Sequence, residues 1–467
     1  MEFIEKEDWN LMITSGFRQI QNTLTELELD FVSSNMMITP NIIKMSDLLA
    51  ILPNLIRLVY IVPHLGLDSI GDFTSRTSLN DNRQQYPLKD LDLQLYQTNR
   101  RMIGPLLQHC GQLRRLVIQR CMDDFVDLLE LHCPNLQIFA YNYDTEEVAE
   151  LDKDDMEGKT DGLRKLYFSG YSIGHQPRFD HRHIMSLILN NASTMDTIDI
   201  GNCSTITISS DQRTLSSSYD SNNLRKMTNL KSLAIEYDGT HPVAESLLQS
   251  IPDYHALTML NVSIKQNLPR FINNLIALQR PQEMLRLVLP TNKTNNDRAA
   301  LLQLFQHYSA LLTSSASSLS EKKKITYTTT LETLSLWDAT DFLTDQMLNT
   351  ISNINTITNI EVISRSPGIS PEGLNVFINK LSEKMTHFRL GGLDIVNDDH
   401  LIQLADTLKN LTHIKLEVLE NITDYGLIVL MDRAIRLKSI LISTCPLITK
   451  TACSYAKLKR IEFLYEV

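Results

Sequence analysis

The sequence predicts an α/β solenoid of about sixteen repeats, with parallel strands on a concave face and helices on the convex face. Three observations predict it. A short pattern, apolar-x-x-apolar-x-apolar, returns sixteen times along the 467 residues. Its late copies start at Leu331, Ile357, Met385, Leu411, Leu437 and Leu458, which are 26, 28, 26, 26 and 21 residues apart. Between copies, apolar residues recur at helical spacing, as in Leu427, Leu430, Met431 and Ala434. Chance triplets would show no preferred interval, so each interval is one unit of strand, turn and returning helix. One unit cannot bury its apolar edge alone, whereas stacked units share a continuous core.

The elements follow in chain order. Residues 1–20 are expected to form an N-terminal capping helix, because Trp9, Leu11, Met12, Ile13, Phe17 and Ile20 give it one apolar side and a terminal repeat needs a cover. Residues 21–467 form the array. Its first copies are Leu24, Leu27, Leu29 and then Leu55, Leu58, Tyr60; a middle copy is Met284, Leu287, Leu289, and the last is Leu458, Ile461, Phe463. Four intervals are overlong and predict inserted loops near 68–87, 144–162, 203–229 and 290–330. The second loop holds nine carboxylates and two lysines between Asp144 and Asp161, a composition that stays solvated. The fourth contains a helix from Ala299 to Leu312, then Ser314 to Ser320 and the run Lys322, Lys323, Lys324, read as solvated chain. In the late repeats the returning helix is typified by Tyr425 to Ala434.

Bulk composition bounds the function. A formal charge of -11 opposes binding to phosphate backbones, so no nucleic-acid partner is expected. The six cysteines contain no close CxxC pair, which favours a reducing compartment. The acidic N-terminus lacks the features of a secretory signal, and no apolar stretch is long enough to span a membrane. Cytoplasm or nucleus is the expected location.

The late repeats carry a family likeness. Leu411-Thr-His-Ile-Lys-Leu416 is followed by Asn421-Ile-Thr-Asp-Tyr-Gly-Leu427, then by Leu437-Lys-Ser-Ile-Leu-Ile442 and Cys445-Pro-Leu-Ile-Thr449. Earlier fragments match, among them Ile200-Gly-Asn-Cys-Ser-Thr-Ile-Thr207 and Leu113-Arg-Arg-Leu-Val-Ile-Gln-Arg-Cys121, with Cys133-Pro-Asn-Leu136 opening the next strand. This unit resembles the cysteine-containing, ribonuclease-inhibitor-like class of leucine-rich repeat found in F-box proteins. The resemblance implies a substrate-recognition subunit of an SCF ubiquitin ligase, with Cys121, Cys203 and Cys445 packed in the turns. The family also carries an F-box ahead of its repeats, and the roughly 20 residues before the first strand are too few for one. Binding of a Skp-type adaptor is therefore not expected, and the alternative is a stand-alone leucine-rich-repeat scaffold. A third reading is a GTPase-activating protein similar to the Ran activator. That family places Asn where this chain has Cys121, Cys203, Cys445, Tyr171, Asp238 or Ala339.

No catalytic constellation is expected, because GxSxG, GxxxxGK[ST] and GxGxxG are absent. His175, His181 and His183 form the densest histidine group, but without neighbouring cysteine ligands they read as a polar loop, and neither metal nor cofactor is expected. The informative residues lie between the apolar strand positions, since strand side chains alternate and the polar set must face away from the core. That set comprises Arg115, Lys165, Tyr167, Arg286, Trp337, Arg389, His413, Lys415 and Glu417, with Asp90, Asp92, Asp199 and Glu361. A tryptophan among cations and carboxylates is the composition of a protein-binding hot spot. The expectation is a monomer that binds protein partners within a larger complex, with Trp337 central.

Overall fold

A computed structural model describes residues 15–30, 44–62, 70, 85–121, 123–143, 148, 162–169, 179–201, 206–207, 221–237, 241–290, 294–317, 330–338, 342–365 and 368–466. The chain divides into two compact units, one of Met1–Leu230 with His241–Ser246, the other of Lys231–Thr240 with Leu247–Val467.

In the first unit, β1 (Glu26–Asp30), β2 (Arg57–Val62), β3 (Asp90–Thr98), β4 (Arg115–Cys121), β5 (Ile138–Tyr141) and β6 (Lys165–Phe168) pair in parallel in chain order. A two-residue strand β7 (Phe179–Asp180) pairs instead with β9 (Ile206–Thr207), so β6 pairs next with β8 (Thr197–Ile200). The second unit repeats the scheme through β10 (Ser232–Tyr237), β11 (Met259–Ile264), β12 (Met284–Val288), β13 (Thr333–Asp338) and β14 (Asn359–Ser364). It continues through β15 (His387–Gly391), β16 (His413–Glu417), β17 (Ser439–Ser443) and β18 (Glu462–Glu466). Among the described residues, helices return the chain between most successive strands, as parallel pairing requires. Each unit is thus an α/β leucine-rich-repeat array, the expected fold. No described helix is long and apolar enough to cross a membrane.

Register confirms the repeat and corrects it twice. Leu27, Leu58, Leu91, Leu116, Phe139, Leu166 and Ile198 align as neighbours along the first unit. In the second unit, however, Leu260 and Val262 pair with Leu285 and Leu287, so the middle copy is Gln282, Leu285, Leu287 rather than Met284, Leu287, Leu289. Gln282 is fully buried in the first apolar position. The last copy moves too: Ile440 and Ile442 pair with Phe463 and Tyr465, while Leu458 lies on the preceding helix, 80% exposed. Both errors are slips of two residues. A slip of two keeps every side chain on its own face, so alternation alone cannot detect it.

The inserted helix is longer than expected, and the late helix keeps its expected length but starts one residue earlier. The inserted helix spans Asn295–Ser317, and the late helix spans Asp424–Arg433 behind an N-cap at Thr423. Residues 15–20 are helical, and the rest of the expected capping helix lies outside the described residues. So do most of the expected loops near 68–87, 144–162 and 203–229, together with Lys322 to Lys324 and His175.

Two devices join neighbouring repeats. The first is a carboxylate latch. Asp398, the first residue of the helix Asp398–Thr407, accepts from Thr423 N at 2.7 Å and Thr423 Oγ1 at 2.6 Å, 25 residues on. Asp345 holds Ser370 the same way at 2.8 and 2.7 Å, and Asp424 holds Thr449 at 2.8 and 2.5 Å. Each carboxylate thereby secures the N-cap of the next helix. The helix Pro371–Lys380 begins with Pro371 where an aspartate would stand, so it sends no latch forward, and Asn397 is capped within its own turn by His400.

The second device is a left-handed turn residue. Arg120, Gly392, Val418 and Thr444 have φ of 60, 73, 51 and 53°. This step directs the next side chain inward, where Cys121, Leu393, Leu419 and Cys445 are all buried. It also aims the main-chain N–H of Gly392 and Val418 at Glu417 O and Ser443 O, both at 2.9 Å. The position therefore calls for a compact apolar side chain, and a thiol is one way of filling it.

Candidate functional site

The second unit gathers most of the expected residues on the strand face turned away from the core. Asn261, Arg286, Ser335, Glu361, Arg389 and Lys415 occupy one row across β11 to β16, and Trp337 and Glu417 lie in the row beside it. Trp337 is at the centre. The guanidinium of Arg286 lies over its ring, 4.4 Å from the centroid, and that of Arg389 lies 4.9 Å away. These arrive from strands on either side of β13, so a half-buried indole is held between two cations.

Hydrogen bonds fix the ring. Its Nε1 donates to Ser335 Oγ at 3.0 Å, and Ser335 Oγ donates to Glu361 Oε2 at 2.7 Å. Arg389 donates through Nε to Glu417 Oε2 at 2.8 Å and lies 3.6 Å from Glu361. Lys415 Nζ pairs with Glu417 Oε1 at 2.9 Å. Burial alone would raise the Glu417 carboxyl, but the bonds from Arg389 and Lys415 outweigh it and hold the group below the usual carboxylate range. The network is preorganised, so contact with it orders few side chains anew.

His413 stands one row away, stacked on His387 with ring centroids 4.3 Å apart and planes 2° from parallel. Thr412 Oγ1 lies 2.9 Å from Thr386 O and 2.8 Å from His413 Nδ1. Burial, and then the charge of His413, lower the pKa of His387. His387 and Ser335 were missed from the sequence; counting one repeat back from His413 and Glu361 would have found both.

The first unit treats its expected residues differently. Arg115 is 4% exposed and donates to Asp90 at 2.8 Å, with Arg57 on the other oxygen of Asp90 at 3.5 Å. Arg115 is thus committed inside the unit rather than presented to a partner. Asp92 is 2% exposed, and burial pushes its carboxyl up to about 6. Beside them, Val117, Ile138 and Ala140 lie on the strand face yet are buried in a small cluster with Val148. Tyr143 and Tyr167 pack against that cluster, their rings 5.4 Å apart. Val148 belongs to the stretch expected to be an acidic solvated loop. Val148 itself is 3% exposed, packed against the strands. Lys165 and Asp199 are half-buried near this cover.

The histidine group is also corrected. His181 and His183 lie in a helix, His181–Asn190, capped by Asp180, not in a polar loop. His183 Nδ1 lies 2.8 Å from Asp124 Oδ2, and Asp124, Asp127 and His183 offer three ligand atoms within 4.8 Å of one another. Arg100 donates to both oxygens of Asp127 at 2.6 and 2.5 Å, and Asp180 N donates to Asp124 at 2.8 Å. The carboxylates already have cationic and N–H partners, which disfavours a bound cation there.

No protein-family profile and no curated protein matches the sequence. Solved structures with a similar fold include the yeast Rad7–Elc1 complex, at 13% identity over 78% of each chain with a TM-score of 0.40. The TLR13–ssRNA13 complex is 12% identical over 89% of this chain and 57% of that one, with a TM-score of 0.42. A leucine-rich-repeat protein of Leptospira interrogans is 13% identical over 96% of this chain and 97% of its own, with a TM-score of 0.33. At these identities no residue of theirs is carried over to this chain.

Proposed function

We propose that this chain binds another protein through the strand face of its second unit, with Trp337 as the anchor. The observation that carries the reading is the indole held between Arg286 and Arg389 and fixed by Ser335. Tryptophan and arginine dominate binding energy at protein interfaces, typically by about 2 kcal/mol or more for each hot-spot residue. A ring that is already oriented contributes that contact without ordering cost. In the finer reading, the bound protein is presented for ubiquitination in the cytoplasm or nucleus, the chain acting as a monomer in a larger assembly. The buried turn thiols of Cys121 and Cys445 support it, as positions typical of the F-box repeat class.

Affinity purification of the full chain beside Trp337→Ala, with retained proteins identified by mass spectrometry, tests both levels. Loss of a specific protein from a variant that melts at the wild-type temperature supports the binding face. Ubiquitin-ligase subunits among the retained proteins support the finer reading. Identical retained sets for the two chains would refute Trp337 as the anchor.

A further inference from the structure

The charges on the strand face of the second unit are not evenly compensated. Arg389 is shared between Glu361 and Glu417, and Lys415 is paired with Glu417. Arg286 has no such partner. Asn261 and Ser335, both neutral, flank it in register, and no carboxylate among the described residues forms an ion pair with it. Its Nε is buried without an acceptor. A buried donor with nothing to donate to is costly, and a guanidinium presents its N–H groups in a fork that matches a carboxylate. Trp337 covers one face of this guanidinium, and no hydrogen bond or ion pair among the described residues occupies its N–H groups.

We infer that the partner bound here contributes an acidic segment, seating one Asp or Glu carboxylate on Arg286 beside the Trp337 ring. The inference rests on the partner-binding reading above and names the chemistry of what it binds. One uncompensated guanidinium matches one negative charge. A phosphate dianion would need a second free cation, and the next ones along the row, Arg389 and Lys415, are already held by glutamates whose charge would repel it. The closest analogue of the expected contact is the Arg389–Glu417 pair itself, a guanidinium with a carboxylate at 2.8 Å on the same face.

The test uses a displayed random-peptide library selected on the full chain, followed by titration of the best peptides and of their Glu→Gln or Asp→Asn counterparts. Peptides that bind this face should lose binding to Trp337→Ala, carry a shared acidic position, and weaken about tenfold or more when that position is neutralised. Against Arg286→Gln the acidic and neutral peptides should bind alike, and Arg286→Lys should recover only part of the difference. Replacing the acidic residue by phosphoserine should weaken binding. Peptides that need Trp337 but bind equally well without their carboxylate overturn the inference and leave the binding face standing. Peptides indifferent to Trp337→Ala, or a library that yields no binder, overturn the binding face and the inference with it. Unchanged melting of Arg286→Gln and Arg286→Lys separates these outcomes from misfolding.

Discussion

The hydroxyl of Tyr308 donates to Oε1 of Gln282 at 2.6 Å, with both side chains fully buried. This bond ties the inserted helix Asn295–Ser317 to a repeat whose first apolar position is polar. Tyr308→Phe leaves that amide oxygen without the hydroxyl and should cost about 1–3 kcal/mol in denaturant unfolding. Adding Gln282→Met to Tyr308→Phe should recover much of the loss, because replacing both partners by apolar groups removes the orphan. A double variant weaker than the sum of the single ones would contradict this account.

Asp92 gives a pH dependence of definite sign. Its folded pKa, about 6, lies above the 3.8 of an unperturbed aspartate, so the folded chain binds the proton more tightly than the unfolded one. Its favourable contribution is therefore complete below the unfolded value and is lost as pH rises through about 6. Asp92→Asn should raise the melting temperature above neutral pH, by the equivalent of about 1–3 kcal/mol. The gain should vanish in mild acid. A gain of equal size at both pH values would show that ionisation of Asp92 is not its source.

Glu417 behaves in the opposite sense. Its carboxyl is held below the usual range, so it stabilises the fold above the unfolded value and loses that effect as pH falls through the folded one. Glu417→Gln should lower stability at neutral pH by about 1 kcal/mol and flatten the acid limb of the stability curve. Urea titrations across the acid range would read both effects.

The left-handed turn residues predict two changes of opposite direction. Val418 and Thr444 are β-branched at φ of 51 and 53°, a conformation that disfavours them. Val418→Gly should stabilise by up to about 1 kcal/mol, the relief of strain being partly offset by glycine's entropy. Gly392 already uses the permissive residue, and a Cβ there would meet Ser364 O at 2.8 Å. Gly392→Ala should therefore lower the melting temperature.

The strand faces were legible in the sequence because the inward set is apolar and alternation has only two outcomes. That placed Arg286, Trp337, Arg389, Lys415 and Glu417 on one face before any coordinates. Alternation could not say how far each residue lies from its neighbours along the row. Hence the slip at Met284, and hence His387 passed unnoticed although it stacks on His413. Nor could it show that Arg115 is enclosed, since its cover comes from packing that no local pattern encodes. The repeated Ser/Thr-to-Asp spacing was visible in the chain, but its meaning lay in a contact between successive units.

That contact has a consequence for how the second unit comes apart. Latches join the repeats of Asp345 and Ser370, of Asp398 and Thr423, and of Asp424 and Thr449, while Pro371 interrupts the series. Because repeat arrays are held by nearest-neighbour terms, a weaker joint becomes the place where cooperativity breaks. The segment from Asn397 onward should open as one zipper, its amides exchanging hydrogen at a common rate distinct from that of the repeats before Pro371.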